Sequence, residues 1–127
     1  MNNIKENIIK EIEQIREYSI PSSDSLTASS WLNIIPENKN IKNQNIINAK
    51  AFLSSLLNLG YIKGNQNGEG YVPTKKYLNS GLFEVKENYR TSSNNELIQT
   101  CTILFTTKGQ DELKPIVLKL IDIKNFI

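Results

Sequence analysis

The chain has 127 residues, 15 Lys/Arg against 13 Asp/Glu for a net charge of +2, no histidine and one cysteine. That length suits one domain with its own core, and the lone Cys101 excludes an internal disulfide and points to a reducing compartment. Without histidine, a Ser–His–Asp or Cys–His catalytic set and a thiolate–imidazole zinc site cannot form, so an enzyme is not expected. Apolar runs are too short to cross a bilayer, and "MNNIKENIIKEIEQ" lacks a secretory segment. A soluble intracellular protein is expected, with no cofactor, no metal and no membrane partner.

Residues 3–18 carry Ile4, Ile8, Ile12 and Ile15 on one helical stripe, with charged residues on the other faces. This predicts an N-terminal amphipathic helix occupying residues 1–23 with its connection, ahead of a domain over residues 24–127. "SIPSSD" ends that helix. Asp24 or Ser25 caps a second, whose apolar members are Leu26, Ala28, Trp31, Leu32 and Ile35. Pro36 opens a polar connection, "PENKNIKNQN", in which Ile41 is the only expected core residue. A third helix is predicted over about Gln44–Leu59, with Ile46, Ala49, Phe52, Leu53, Leu56 and Leu57 inward and Gly60 as its stop.

"GYIKGNQNGEGY" reads as a short strand and a mobile Gly/Asn turn. The turn is glycine-rich but lacks the Lys-Ser/Thr ending of a phosphate loop. "TKKYLNSG" predicts one or two helical turns stopped by Gly81. From Phe83 the period becomes two, with Phe83, Val85 and Tyr89 on one face and Glu84, Lys86, Asn88 and Arg90 on the other. "TSSNNE" is a loop tip, and "LIQTCTILFTT" the returning strand, where Cys101 reads as a small buried apolar residue. Thr107 is expected to cap a last helix carrying Leu113, Ile116, Val117, Leu120 and Ile121, either kinked or split at Pro115. The carboxylate pairs Glu11/Glu13, Glu84/Glu87 and Asp111/Glu112 sit in charge-mixed patterns and read as surface. The fold class is α+β. Three helices, a strand, a long hairpin and a C-terminal helix is the order of a winged helix-turn-helix.

Within "VPTKKYLNSGLFEVKENY", the spacing Pro73-x-x-x-Tyr77-x-x-x-Gly81-x-Phe83-x-Val85-Lys86 resembles the central motif of the KilAC domain, the C-terminal domain of phage antirepressors. "LLNLGYI" (56–62) resembles that family's passage from recognition helix to wing. In "LFTTKGQDEL", Thr106, Lys108 and Gly109 match its Thr-x-Lys-Gly start of the final helix, and "LTASSWLNI" fits its first helix more loosely. The resemblance spans roughly residues 24–121. It implies a winged-helix DNA-binding domain from a mobile element, acting in transcriptional regulation in the cytoplasm of a bacterial host. The family's arginine three residues before the glycine is Leu57 here, and the predicted recognition helix holds Lys50 and no arginine.

A helix in the major groove reads bases with its first turns. Gln44, Asn45, Asn48 and Lys50 are residue types suited to that role, and Asn and Gln pair with adenine. Lys39 and Lys42 before the helix, and Lys63, Lys75 and Lys76 near the wing, are the candidate phosphate contacts. Residues 24–90 hold eight Lys/Arg against five Asp/Glu. Double-stranded DNA is the leading partner; the Ile4, Ile8, Ile12 and Ile15 stripe either packs on the chain's own helical core or forms a homodimer, which would double the DNA contacts. The alternative, favoured by Leu57 and the missing arginines, is a small phage protein that binds a protein. Its target would be a phage repressor, or a host defence complex inhibited in the manner of an anti-CRISPR.

Overall fold

The computed structural model describes residues 17–126, so the predicted isoleucine-striped helix and its dimer residues Ile4, Ile8, Ile12 and Ile15 lie outside the described residues. What it describes is a mixed α+β fold with three α-helices and a five-stranded mixed sheet. Two helices precede the long strands: α1 (Ala28–Ile34) and α2 (Ala49–Asn58), separated by a single 3-10 turn at Pro36–Asn38. A two-residue strand β1 (Leu26–Thr27) leads into α1. After α2 come β2 (Ile62–Gly64), β3 (Gly68–Pro73), β4 (Phe83–Thr91), β5 (Leu97–Phe105) and the long helix α3 (Thr107–Asn125).

Strand β5 is the centre of the sheet. The antiparallel β4 runs along one edge from Phe83↔Phe105 to Thr91↔Leu97. On the other edge β1 pairs antiparallel at Leu26↔Phe105, and β3 pairs in parallel at Gly68↔Gln99 and Gly70↔Cys101. β2 closes the order as the antiparallel partner of β3. The "NGEG" segment is therefore more than the mobile turn expected. Gly70 has φ +91°, and a Cβ there would stand 1.8 Å from the Cys101 carbonyl oxygen, so only glycine lets β3 approach β5 so closely.

The core gathers around Phe105, which is fully buried. Trp31, Phe52 and Phe83 pack on it at ring separations of 5.4, 5.5 and 5.6 Å, distances at which aromatic pairs gain beyond their buried area. α1 contributes Trp31 and Leu32, α2 contributes Phe52 and Leu56, and α3 contributes Leu113, Val117 and Ile121 at helical spacing. Gly60 ends α2 in a Schellman arrangement, with Tyr61 N–H donating to the Leu56 carbonyl and Gly60 N–H to that of Leu57.

Several sequence expectations need correction. The cap of α1 is Thr27, whose hydroxyl accepts from Ser30 N–H at 3.2 Å, and not Asp24 or Ser25. Ser25 is engaged by Glu84, and Leu26–Thr27 are held extended by β5, so the helix starts later. α2 begins at Ala49 and not Gln44, because residues 45–47 are drawn back to the 3-10 turn. Lys39 and Asn45 form a β-bridge, and Ile46 N–H donates to the Asn38 carbonyl. Ile41 is fully exposed at the tip of that loop, and Asn38 and Ile47 fill the core place expected for it.

Residues 75–79 form turns and not a helix. Thr74 is held to the Gly60 and Tyr61 carbonyls, and Ser80 folds its hydroxyl back onto the Tyr77 carbonyl. The last helix is capped by Thr106, one residue earlier than expected, and runs unsplit through Pro115. Both Pro115 and Asp111, whose carbonyl loses its helical donor, are exposed, so solvent replaces the missing bond. Glu87 is buried and not a surface acid. It shares the inner face of β4 with Phe83 and Val85.

Candidate nucleic-acid interface

The connection between α1 and α2 is braced by amide side chains. Asn38 is wholly buried at its base. Its Nδ2 donates to the Leu32 carbonyl at 3.1 Å and to the Ile47 carbonyl at 3.0 Å, and its Oδ1 accepts from Ile47 N–H at 2.7 Å. One side chain thus satisfies a carbonyl that the end of α1 leaves open and ties it to the residue just before the Asn48 cap. Farther out, Asn40 Oδ1 accepts from Lys42 N–H and Gln44 N–H, closing a tight tip in which Asn43 has φ 59°. The tip therefore presents Ile41, Lys42 and Gln44 to solvent on a braced backbone.

The expected contact residues occupy different situations within this frame. Lys39 is held by two oxygens, Asn33 Oδ1 at 2.8 Å and Asn45 Oδ1 at 2.6 Å. That engages Asn45 as well, and neither Gln44 nor Asn45 lies on α2. Asn48 is the α2 cap, its Oδ1 accepting from Ala51 N–H at 2.8 Å. Lys50 stands exposed on the first turn of α2, followed along the exposed face by Ala51, Ser54 and Asn58. Neither Lys42 nor Lys50 has an ion pair among the described residues.

The structure brings a second group together at the β2–β3 hairpin and the turn that follows it. Lys63 and Lys75 line one hollow with Asn65, Gln66 and Asn67 from the hairpin turn, and Glu17 and Tyr18 line it too. Lys76 lies 5.3 Å from the ring centroid of Tyr77, itself stacked at 4.4 Å on Tyr61. Asn65 fixes the turn, donating to the Glu69 carbonyl and to Gln99 Oε1.

Sequence reasoning missed a further constellation, the two carboxylates of β4. Glu87 accepts Glu17 N–H and Tyr18 N–H, each at 3.0 Å, together with the Gln99 amide at 3.0 Å and the Tyr89 hydroxyl. Burial pushes this carboxyl up, but the Tyr89 and Gln99 side chains and the two backbone donors outweigh it and hold it below the ordinary carboxylate range. The Ser25 hydroxyl is the largest influence holding Glu84 low as well, and the Ser22 hydroxyl and N–H act in the same direction. Beside Glu87, burial pushes the Tyr89 phenol up to about 12 and the Cys101 thiol to about 11, so both stay protonated at neutral pH. Period two was the available signal, since it places residue 87 with Phe83 and Val85.

The residues that carry the family resemblance meet at Ser80–Leu82. Thr106 N–H donates to the Leu82 carbonyl at 3.1 Å, its hydroxyl lies 2.5 Å from the Gly81 carbonyl oxygen, and Lys108 Nζ donates to the Ser80 carbonyl at 3.0 Å. A Cβ on Gly109 would stand 2.0 Å from the Leu82 carbonyl oxygen, so that glycine lets α3 sit directly on the turn before β4. The motif is a joint between helix and sheet, and its job is architectural. A family model described as the phage antirepressor protein KilAC domain matches residues 23–119. No curated protein and no solved structure matches the chain.

Proposed function

Because the chain belongs to the phage antirepressor KilAC-domain family, we propose that it is a DNA-binding regulatory module, with α1 and α2 as a helix-turn-helix pair and the hairpins after them as wing. The observation that carries this reading is the exposed cation on the first turn of α2, Lys50, without an ion pair among the described residues, beside a braced loop tip bearing Lys42 and Gln44. First-turn side chains are the ones a groove-bound helix uses on bases, and a braced tip lowers the ordering cost of a phosphate contact. Lys63, Lys75 and Lys76 supply the second set of phosphate contacts from the hairpin side. The reading assigns no catalysis, in keeping with a chain that has no histidine.

The test is a gel-shift series at low salt with an A·T-rich duplex. Lys42→Ala/Lys50→Ala should weaken binding on every sequence, and Lys63→Ala/Lys75→Ala should do the same. Lys39→Ala should change little, because that ammonium is already held by Asn33 and Asn45. If both double variants bind as the parent chain does, the proposed docking is wrong.

A second reading rests on the same loop. Ile41 is fully exposed at its tip, and α2 shows solvent Ala51, Ser54 and Asn58 with a single base. An apolar tip beside a nearly uncharged helix suits a protein surface, such as a phage repressor or host defence protein. Ile41→Asp separates the readings. It should leave DNA binding nearly intact if the first holds, and abolish capture of a protein partner if the second does.

A further inference from the structure

On the side of the molecule formed by α3 and the end of α2 there is an apolar groove of about 530 Å³. Tyr61 and Tyr77, stacked on each other, and Leu59 form one wall, Ile116, Leu120 and Ile123 of α3 form the other, and Ser55, Asn58 and Lys119 complete the lining. α3 thus carries two apolar stripes. Leu113, Val117 and Ile121 are buried in the core, whereas Ile116, Leu120 and Ile123 face the groove. Leu59 is more than half exposed and Ile123 half exposed, and Phe126 beyond them is almost fully exposed. An isolated domain gains nothing from a second stripe of this kind.

Charge decides what fits. Lys119 and Asp122 flank the second stripe on one side of the helix, and neither is in an ion pair among the described residues. When two copies of a helix pair antiparallel about a two-fold axis, each flank meets the same flank of the other copy. Centred beside Leu120, that operation sets Ile116 against Ile123 of the second copy and brings Lys119 to Asp122 of the second copy, twice over. A pattern that is apolar along the seam and charge-complementary to its own inverted image specifies self-association.

We propose that the α3 groove is a homodimer interface, formed by antiparallel pairing of the Ile116/Leu120/Ile123 stripes and fixed in register by Lys119–Asp122 pairs between copies. It buries the groove walls, doubles whatever surface α2 presents, and requires no residue of the DNA-contacting set.

Sedimentation equilibrium on the full chain without DNA tests this separately from DNA binding. The chain should dimerise, and Leu120→Glu should be monomeric. Lys119→Asp or Asp122→Lys alone, each of which sets like charges together twice, should raise the dimer Kd by about tenfold. The double swap Lys119→Asp/Asp122→Lys should return it to within about threefold of the parent value. Leu120→Cys should form a disulfide between copies under mild oxidation. Because Leu120 is half-buried, the charge swaps decide the matter if Leu120→Glu fails to fold. A full chain that stays monomeric at every concentration, its groove filled by its own residues 1–16 or left open, overturns the proposal. So does a dimer indifferent to all three charge variants.

Discussion

The connection at residues 36–48 and the outer edge of β4 are both polar in sequence, and in both a side chain does the work usually done by backbone pairing. They differ in the chemistry of that side chain. In the connection a neutral amide, Asn38, holds the end of α1 to the start of α2. On β4 two ionised carboxylates, Glu84 and Glu87, hold the segment from Glu17 to Ser25 against the sheet. An amide offers donor and acceptor at every pH, whereas a carboxylate makes charge-assisted bonds to N–H groups only while ionised and holds them more weakly once protonated. The loop between the helices is thus pinned permanently, and the leading segment is pinned conditionally.

The largest break in that comparison is Asn38→Ala. It leaves two carbonyls and one N–H buried without partners and should cost about 3 kcal/mol, read as a lower urea midpoint with unchanged slope. Glu87→Gln comes next. It keeps the shape but replaces an ionised acceptor with a neutral amide facing two N–H groups, at about 2 kcal/mol. It should raise amide exchange at Tyr18 far more than at Ile47, and equal changes at both sites would mean the two regions are one unit.

Acid should separate them without any mutation. Both carboxyls lie below the ordinary range in the folded chain, so their contribution is complete at neutral pH. It begins to fall near the unfolded carboxylate value of about 4.3 and is lost as pH drops through the lowered folded values. The protection factors of Tyr18 and Ser22 against hydrogen exchange should therefore fall below that point while that of Ile47 holds. In Glu87→Gln the acid response at Tyr18 should largely vanish. The smallest effect is Asn40→Ala at the exposed loop tip, about 0.5–1 kcal/mol for loss of two solvent-exposed bonds.

The β4–β5 hairpin and the helix cores were legible in the sequence because they obey a period, whereas the pairings of β1 and β3 with β5 were not. Phe83 and Val85 alternate, Leu113, Val117 and Ile121 recur at helical spacing, and "LLNLGYI" carries its own stop. The motif Pro73 to Lys86 identified the family, and the structure gives its reason in the joint of Gly81–Leu82 with Thr106 and Gly109. What could not be read obeys no period. Ile41 is apolar and by type belongs inside, yet the turn made by Asn40 lifts it into solvent, and Asn38, an amide among amides, has nothing local to mark it as buried. Asp24 and Ser25 are good caps by type, but a two-residue pairing with β5 decided where α1 starts. Glu87 was readable by parity and was missed because it is charged. The positions of Lys39 and Asn45 depend on a contact between three residues that only the folded loop brings together.

The central claim, that this KilAC-family domain meets duplex DNA through lysines at the start of α2 and on the hairpin, is tested most directly by the salt dependence of binding. Four lysines, Lys42, Lys63, Lys75 and Lys76, are available to phosphate, which predicts a slope of log K against log salt near −3.6 per chain, at roughly 0.9 per contact. Lys42→Ala should flatten it by about 1. A duplex affinity that does not change with salt, or no binding at low salt, would contradict the account.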